Sequence, residues 1–267
     1  MKRTRSVTDS LGRQIEIPVE PHRIVSLCPS QTETLFALGL AGRIVGRTRY
    51  CIHPAEEVKA VAVVGGTKKV DVSAVRFLSP DLIIAEKEEN TRQDVEALSA
   101  LAPVYVTNVE SYGDALESIV QLGDITDTRR RALEIVEGIK AAFSQLPQAA
   151  RPIRVLYLIW RKPFMAAGRM TYIGSLIEKL GWVNLAVELP GRYPVIERPE
   201  LLTPDVVLLS DEPYPFKEKH VPEIQKMWPQ AEIRLVRGDY FSWYGVRMIE
   251  AAEYLHRLVR SIDIMSV

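Results

Sequence analysis

The chain lacks the marks of several large function classes. No apolar run in its 267 residues approaches the ~20 that a membrane-spanning helix needs, so the protein is expected not to be membrane-embedded. Thirty-four basic residues balance thirty-four acidic ones. Without a basic surplus, nucleic acid is excluded as the expected partner. Two cysteines, Cys28 and Cys51, cannot make a disulfide framework. They also lack Cys-x-x-Cys spacing and have only His53 close by, so they read as two small, partly buried thiols. Of the four histidines, His22, His53, His220 and His256, none forms a spaced pair for metal or acid–base work. Val63-Val-Gly-Gly-Thr67 is neither a dinucleotide fingerprint nor a phosphate loop, and no Gly-x-Ser-x-Gly elbow occurs. The start, Met1-Lys-Arg-Thr-Arg5, has the charge of an export signal. Asp9, Arg13, Glu16 and Glu20 stand where its apolar stretch should be, so this sequence on its own reads as cytoplasmic.

What the chain does have is a near-repeat. Residues 78–86 read LSPDLIIAE and residues 202–210 read LTPDVVLLS. Each half opens on a comparable apolar segment, Arg23-Ile-Val-Ser-Leu27 and Arg154-Val-Leu-Tyr-Leu158. Each then carries a helix ending in Leu-Gly, at Leu38-Gly39 and Leu180-Gly181. Two similar halves imply a seam, and seams favour small ligands.

Strand and helix patterns alternate at the spacing of parallel sheets covered by helices. Residues 7–17 read as a hairpin. Strands are expected at 23–27, 44–47, 82–85 and 104–106, then at 154–160, 206–209 and 233–236. Ser30 with Glu33 has the capping-box pattern for a first helix ending at Gly39. Helices are also expected at 72–78, 91–101, 115–122, 172–180 and 246–262. Ala132, Ile135, Val136, Ile139, Phe143 and Leu146 recur at helical spacing over 129–146, a helix of ~27 Å. The expected architecture is α/β: two Rossmann-like lobes with parallel sheets, joined by one long backbone helix. The lobes are 1–112 and 151–267, with 113–150 as the helical connector.

In parallel α/β sheets ligands bind beyond the carboxyl ends of the strands. Of the chain's 20 aromatic residues, eight fall on those predicted loops: Tyr50, Trp160, Phe164, Tyr214, Phe216, Phe241, Trp243 and Tyr244. Aromatics beside Arg161, Lys162 and Lys217 suit a large, flat, partly anionic ligand through stacking and charge pairing. The bland alternative is that the rings plug the ends of two small cores, and it is the stronger reading for Phe241. Glu86 and Glu212 end matching strands. Asp239 can bond either a ligand amide or its own loop.

The segments Thr8-Asp-Ser-Leu-Gly-Arg13, Pro21-His-Arg-Ile-Val-Ser-Leu27, Pro29-Ser-Gln-Thr-Glu33, Leu38-Gly39 and Leu78-Ser-Pro-Asp-Leu-Ile-Ile84 carry a resemblance. With Glu212–His220 and Phe241–Gly245, the chain resembles the helical-backbone metal-receptor class of ABC-transporter substrate-binding proteins. The resemblance is greatest to the cobalamin-binding branch and covers about residues 7–262. It implies ligand contacts at Tyr50, at Trp160 or Phe164, at Tyr193 and at Asp239. Thr67 and Glu86 stand where that branch carries cleft tryptophans. It also implies one permease-docking glutamate per lobe: Glu197 matches in the second, whereas the first reads Ser73 with Asp71 nearby.

These readings converge on a non-catalytic binding protein without cofactor. It holds a corrinoid or similar metal chelate as ligand, with Tyr50, Trp160, Phe164, Tyr214 and Trp243 as stacking surface and Tyr244 as a further ligand-binding candidate. An ABC permease is the implied partner, and the family's usual role implies a periplasmic or membrane-associated place, with an export signal trimmed from this sequence, against the cytoplasmic reading of the sequence alone. Two rivals stand beside it. One is a tetrapyrrole chelatase, with Glu86, Glu212 and His53 as its candidates. The other is a cytoplasmic carrier or sensor of metal chelates.

Overall fold

The computed structural model describes residues 3–147 and 151–264. Met1 and Lys2 of the charged start, and 148–150 of the expected connector, lie outside them. The chain divides into two α/β units. The first comprises Met1–Val109, Asp114–Lys140 and Tyr244–Arg247; the second comprises Glu110–Gly113, Ala141–Trp243 and Met248–Val267.

The first unit begins with an antiparallel hairpin, β1 (Thr4–Thr8) and β2 (Gln14–Pro18). Its parallel sheet contains β3 (Ile24–Ser26), β4 (Ile44–Arg47), β5 (Ala62–Val63), β6 (Leu82–Glu86) and β7 (Val104–Thr107), in the order β5-β4-β3-β6-β7. Helices α1 (Pro29–Ala37), α2 (Val72–Leu78) and α3 (Arg92–Ser99) alternate with those strands. Val25, Leu27, Ile83, Leu98 and Val104 form one apolar cluster, and burying each such side chain contributes about 1.5–3 kcal/mol. α4 (Tyr112–Thr126) and α5 (Arg129–Ser144) follow. α5 is the expected long helix, and the chain passes from the first unit into the second between its residues 140 and 141.

The second unit contains β8 (Arg154–Trp160), β9 (Met165–Ala166), β10 (Val183–Asn184), β11 (Val206–Ser210) and β12 (Glu232–Val236). The parallel order is β10-β8-β11-β12, with β9 antiparallel on β8. Its helices are α6 (Tyr172–Lys179), α7 (Val221–Met227), α8 (Asp239–Ser242) and α9 (Met248–Ile264). Leu156, Leu158, Val207, Leu209, Phe216 and Trp228 belong to its core.

The two sheets share a plan. The first strand of each, β3 or β8, is central. The next is laid on one side, and the chain then crosses to β6 or β11 on the other. The near-repeat in sequence is this crossing strand, β6 or β11, and its approach. Gly39 and Gly181 end α1 and α6 at φ +86° and +74°, a left-handed conformation that suits glycine.

Local corrections concern helix starts and short pieces. Ser30 does not cap α1. Cys28 occupies the N-cap without a side-chain bond, and Pro29 takes the first helical position, where a missing N–H costs nothing. Glu33, expected in a capping box, pairs instead with Arg247. The last helix starts at Met248, after a short 3-10 turn over Gly245–Arg247. The two-residue strands β5, β9 and β10, and the short α7 and α8, are too brief to show a period. Both cysteines are free and buried.

Candidate functional site

The carboxyl ends of the strands collect the candidate residues of each unit. In the first unit the crossing point lies between β3 and β6, the place where open α/β sheets take ligands. Asn90 holds it together: its Oδ1 accepts the Glu86 N–H at 2.8 Å, and its Nδ2 donates to the carbonyls of Thr67 at 2.9 Å and Leu27 at 3.3 Å. Glu86 is buried. Its Oε2 accepts the backbone N–H groups of Glu88 at 2.6 Å and Glu89 at 2.9 Å, while Oε1 has no hydrogen-bond partner. Burial pushes its carboxyl up to about 7, against the pull of those two amides. Thr67 is buried and Tyr50 is 56 % exposed. Tyr244 also belongs here. It is buried, its hydroxyl lies 3.8 Å from Cys28 Sγ, and it feels the Glu86 charge. His53 is half-buried in the same unit.

The Tyr244 segment is fixed by its neighbours. Gly245 has φ +88°, and a Cβ there would sit 2.1 Å from Thr34 Oγ1. The Val246 N–H donates to that hydroxyl at 3.2 Å. Arg247 makes a two-point pair with Glu33, Nε to Oε2 at 2.8 Å and Nη2 to Oε1 at 2.7 Å.

In the second unit the crossing point lies between β8 and β11. Trp160 ends β8, is 41 % exposed, and meets Tyr214 edge-on at 5.8 Å between ring centres. Tyr214 also packs against Phe216 at 4.8 Å and against His220. Its hydroxyl lies 3.3 Å from His220 Nε2 and interacts electrostatically with the Arg161 guanidinium. Arg161 in turn donates from Nε to Glu223 Oε2 at 2.8 Å. Lys162 and Lys217 are exposed, and Phe164 is half-buried against the core.

A second group lies beyond β11 and β12. Glu212 accepts hydrogen bonds from the Ser242 hydroxyl and from Trp243. Burial, with the charges of Asp239 and Asp211, raises its carboxyl above the ordinary range. Asp239 is engaged by Arg237 through Nε at 3.1 Å and Nη2 at 2.6 Å. Tyr193 is half-buried and Glu197 is exposed on the loop before β11.

Five of the eight loop aromatics keep exposed surface: Tyr50, Trp160, Phe164, Tyr214 and Trp243. The other three close the sheet ends. Phe241 is fully buried against Tyr157 at 4.9 Å, and Phe216 and Tyr244 are buried too. The sequence reading missed Asn90, His220 and Glu223. Only His220 left a signal, because Lys217-x-x-His220 has the spacing at which a side chain reaches back to the amide opening a helical turn. Among the described residues, no group of three or more His, Cys, Asp or Glu is placed to hold a metal ion, and no helix is long and apolar enough to cross a membrane.

Comparison with known proteins agrees with this architecture. An uncharacterised ABC transporter substrate-binding lipoprotein of Bacillus subtilis, YvrC, is 27% identical over 94% of this chain and 83% of its own length. A vitamin B12-binding protein of Pectobacterium carotovorum is 23% identical over 88% of this chain and 87% of its own. The periplasmic heme-binding protein RhuT of Roseiflexus superposes with a TM-score of 0.74 at 21% identity, covering 91% of this chain and 99% of that one. The sequence pattern of the family described as periplasmic binding protein matches residues 24–225. The chelatase reading, with Glu86, Glu212 and His53 as its candidates, is thereby set aside. The chain belongs to the periplasmic binding protein family, as a non-catalytic substrate-binding component of ABC-type transport.

Proposed function

We propose that the protein binds a planar macrocyclic metal chelate of the corrinoid class and hands it to an ABC permease. The observation that carries this reading is the pair of exposed aromatics, Tyr50 in the first unit and Trp160 in the second, each at the carboxyl edge of its parallel sheet. Such rings offer flat apolar area with a polar edge, which suits a macrocycle face. Trp160 is backed by Tyr214, Phe216 and His220, so its placement costs little ordering on binding. Glu212, Asp239, Trp243 and Tyr193 supply polar contacts to the rim, and Thr67 and Glu86 shape the first unit's share.

The test is to mix the purified protein with hydroxocobalamin, desalt it and record the visible spectrum. Corrinoid absorbance co-eluting near one to one supports the reading. A colourless protein overturns it. Glu197 is proposed as a permease-docking residue from its exposure on a surface loop. Glu197→Arg is expected to lower uptake in cells while leaving hydroxocobalamin binding intact. Fractionation of native cells should place the protein with the envelope; a cytosolic pool would favour the carrier reading instead.

A further inference from the structure

The basic side chain beside the exposed indole of the second unit is already committed. Arg161 follows Trp160, and both its Nε and Nη2 reach Glu223, each at 2.8 Å. The same guanidinium interacts electrostatically with the Tyr214 oxygen. His220 also faces that oxygen. Its Nδ1 accepts the Lys217 backbone N–H at 3.0 Å, so the neutral ring carries its proton on Nε2, which faces Tyr214 Oη at 3.3 Å. Burial, Arg161 and Lys219 all keep this ring neutral. The His220 Nε2–H therefore occupies an acceptor position of the Tyr214 oxygen. What remains is its own O–H, a neutral donor beside Trp160.

We propose that the Arg161–Glu223 pair sets ligand specificity: it withholds the guanidinium and presents the Tyr214 hydroxyl, so the site takes a macrocycle with a carboxamide rim and discriminates against a carboxylate rim. A carboxamide oxygen accepts from the phenol without needing a charge. A carboxylate brought to the same place meets a cation already satisfied and the negative charge of Glu223 beside it, which is selection by repulsion as much as by attraction. Arg161, Glu223 and His220 act here as positioning residues; Tyr214 makes the contact. The inference rests on the macrocycle reading above.

The experiment compares hydroxocobalamin, whose rim is carboxamide, with haemin, whose rim carries two carboxylates. Both are titrated against the full chain and against Glu223→Gln, Tyr214→Phe and the double variant Glu223→Gln/Arg161→Gln, with melting curves as the folding check. The wild type should bind hydroxocobalamin more tightly than haemin. Glu223→Gln should raise the haemin-to-hydroxocobalamin affinity ratio about tenfold, which is about 1.4 kcal/mol, and adding Arg161→Gln should abolish that gain. Tyr214→Phe should weaken hydroxocobalamin about tenfold. An unchanged ratio in Glu223→Gln, or a wild type that prefers haemin, overturns this inference and leaves the macrocycle reading standing. A wild type that binds neither probe overturns both.

Discussion

Arg154 and Asp205 hold one another reciprocally. The Asp205 carboxylate accepts the Arg154 backbone N–H at 2.8 Å, and the Asp205 N–H donates to the Arg154 carbonyl at 2.8 Å. Arg23 and Asp81 repeat the arrangement in the first unit, at 2.8 and 2.9 Å. Each aspartate follows a proline and precedes the fourth strand of its sheet in chain order, so it sets that strand beside the first. This is the physical content of the Leu-Ser-Pro-Asp and Leu-Thr-Pro-Asp repeat.

Removing either carboxylate leaves a strand-opening amide without its acceptor. Asp205→Ala and Asp81→Ala are each expected to cost about 1–3 kcal/mol, read as a lower midpoint in urea. Hydrogen bonds from Arg154, then its charge, hold the Asp205 carboxyl below the ordinary carboxylate range. That contribution is present above the unfolded carboxylate pKa and is lost as pH falls through the folded one. The gap between wild type and Asp205→Ala should therefore narrow between pH 5 and pH 3, by an amount reduced because water reaches the pair through Arg154, which is 46% exposed.

The same repeat explains how much was legible. β8 matches its expected span residue for residue because a long apolar run dominates its local energetics, and α2 does so because the Asp71 side chain caps its first turn at Ala74 N–H. Two-residue strands carry no period. The Ser30–Glu33 capping box failed because Pro29 starts the helix earlier and Arg247, 214 residues away from Glu33, takes the carboxylate. No local pattern encodes such a pair. Aromatic content located the sheet ends correctly, but residue type alone cannot separate Trp160, which faces outward, from Phe241, which seals a core.

Arg247 and Glu33 are both nearly excluded from water, with side-chain exposures of 3% and 12%. Removing one partner strands the other charge, so Arg247→Met is expected to destabilise by about 3–5 kcal/mol. The double variant Arg247→Met/Glu33→Leu should recover much of that loss. Denaturant midpoints for the four proteins of the cycle measure the coupling; simple additivity would mean that the pair contributes nothing of its own.

Glu86 gives a pH dependence of the opposite sign to Asp205. Its folded carboxyl sits at about 7, above the ordinary 4.5. The native state therefore holds the proton more tightly than the unfolded chain, and the benefit is full below about pH 4.5 and lost as pH rises through 7. A shift of that size corresponds to about 3 kcal/mol at high pH. Glu86→Gln keeps an oxygen for the amides of Glu88 and Glu89 and removes the charge. Its melting temperature should exceed that of the wild type at pH 8 and approach it at pH 5. Parallel curves for the two proteins across that range would show that the carboxyl does not titrate there.

Trp160 separates ligand stacking from core support. Its ring is 41 % exposed and rests on Tyr214 only through an edge contact, so truncation should cost the fold little. Ring-to-ring contacts contribute about 0.5–1.5 kcal/mol beyond their buried area. Trp160→Ala is expected to weaken hydroxocobalamin by about ten- to a hundredfold while shifting the melting temperature only slightly. Phe241→Ala, which empties a fully buried position against Tyr157, should do the reverse at first order: a loss of about 3–5 kcal/mol in stability, with binding by the remaining folded protein largely retained. Measuring both quantities on both variants separates the rings that face a ligand from those that close the sheet, and equal binding losses in the two would remove Trp160 from the site.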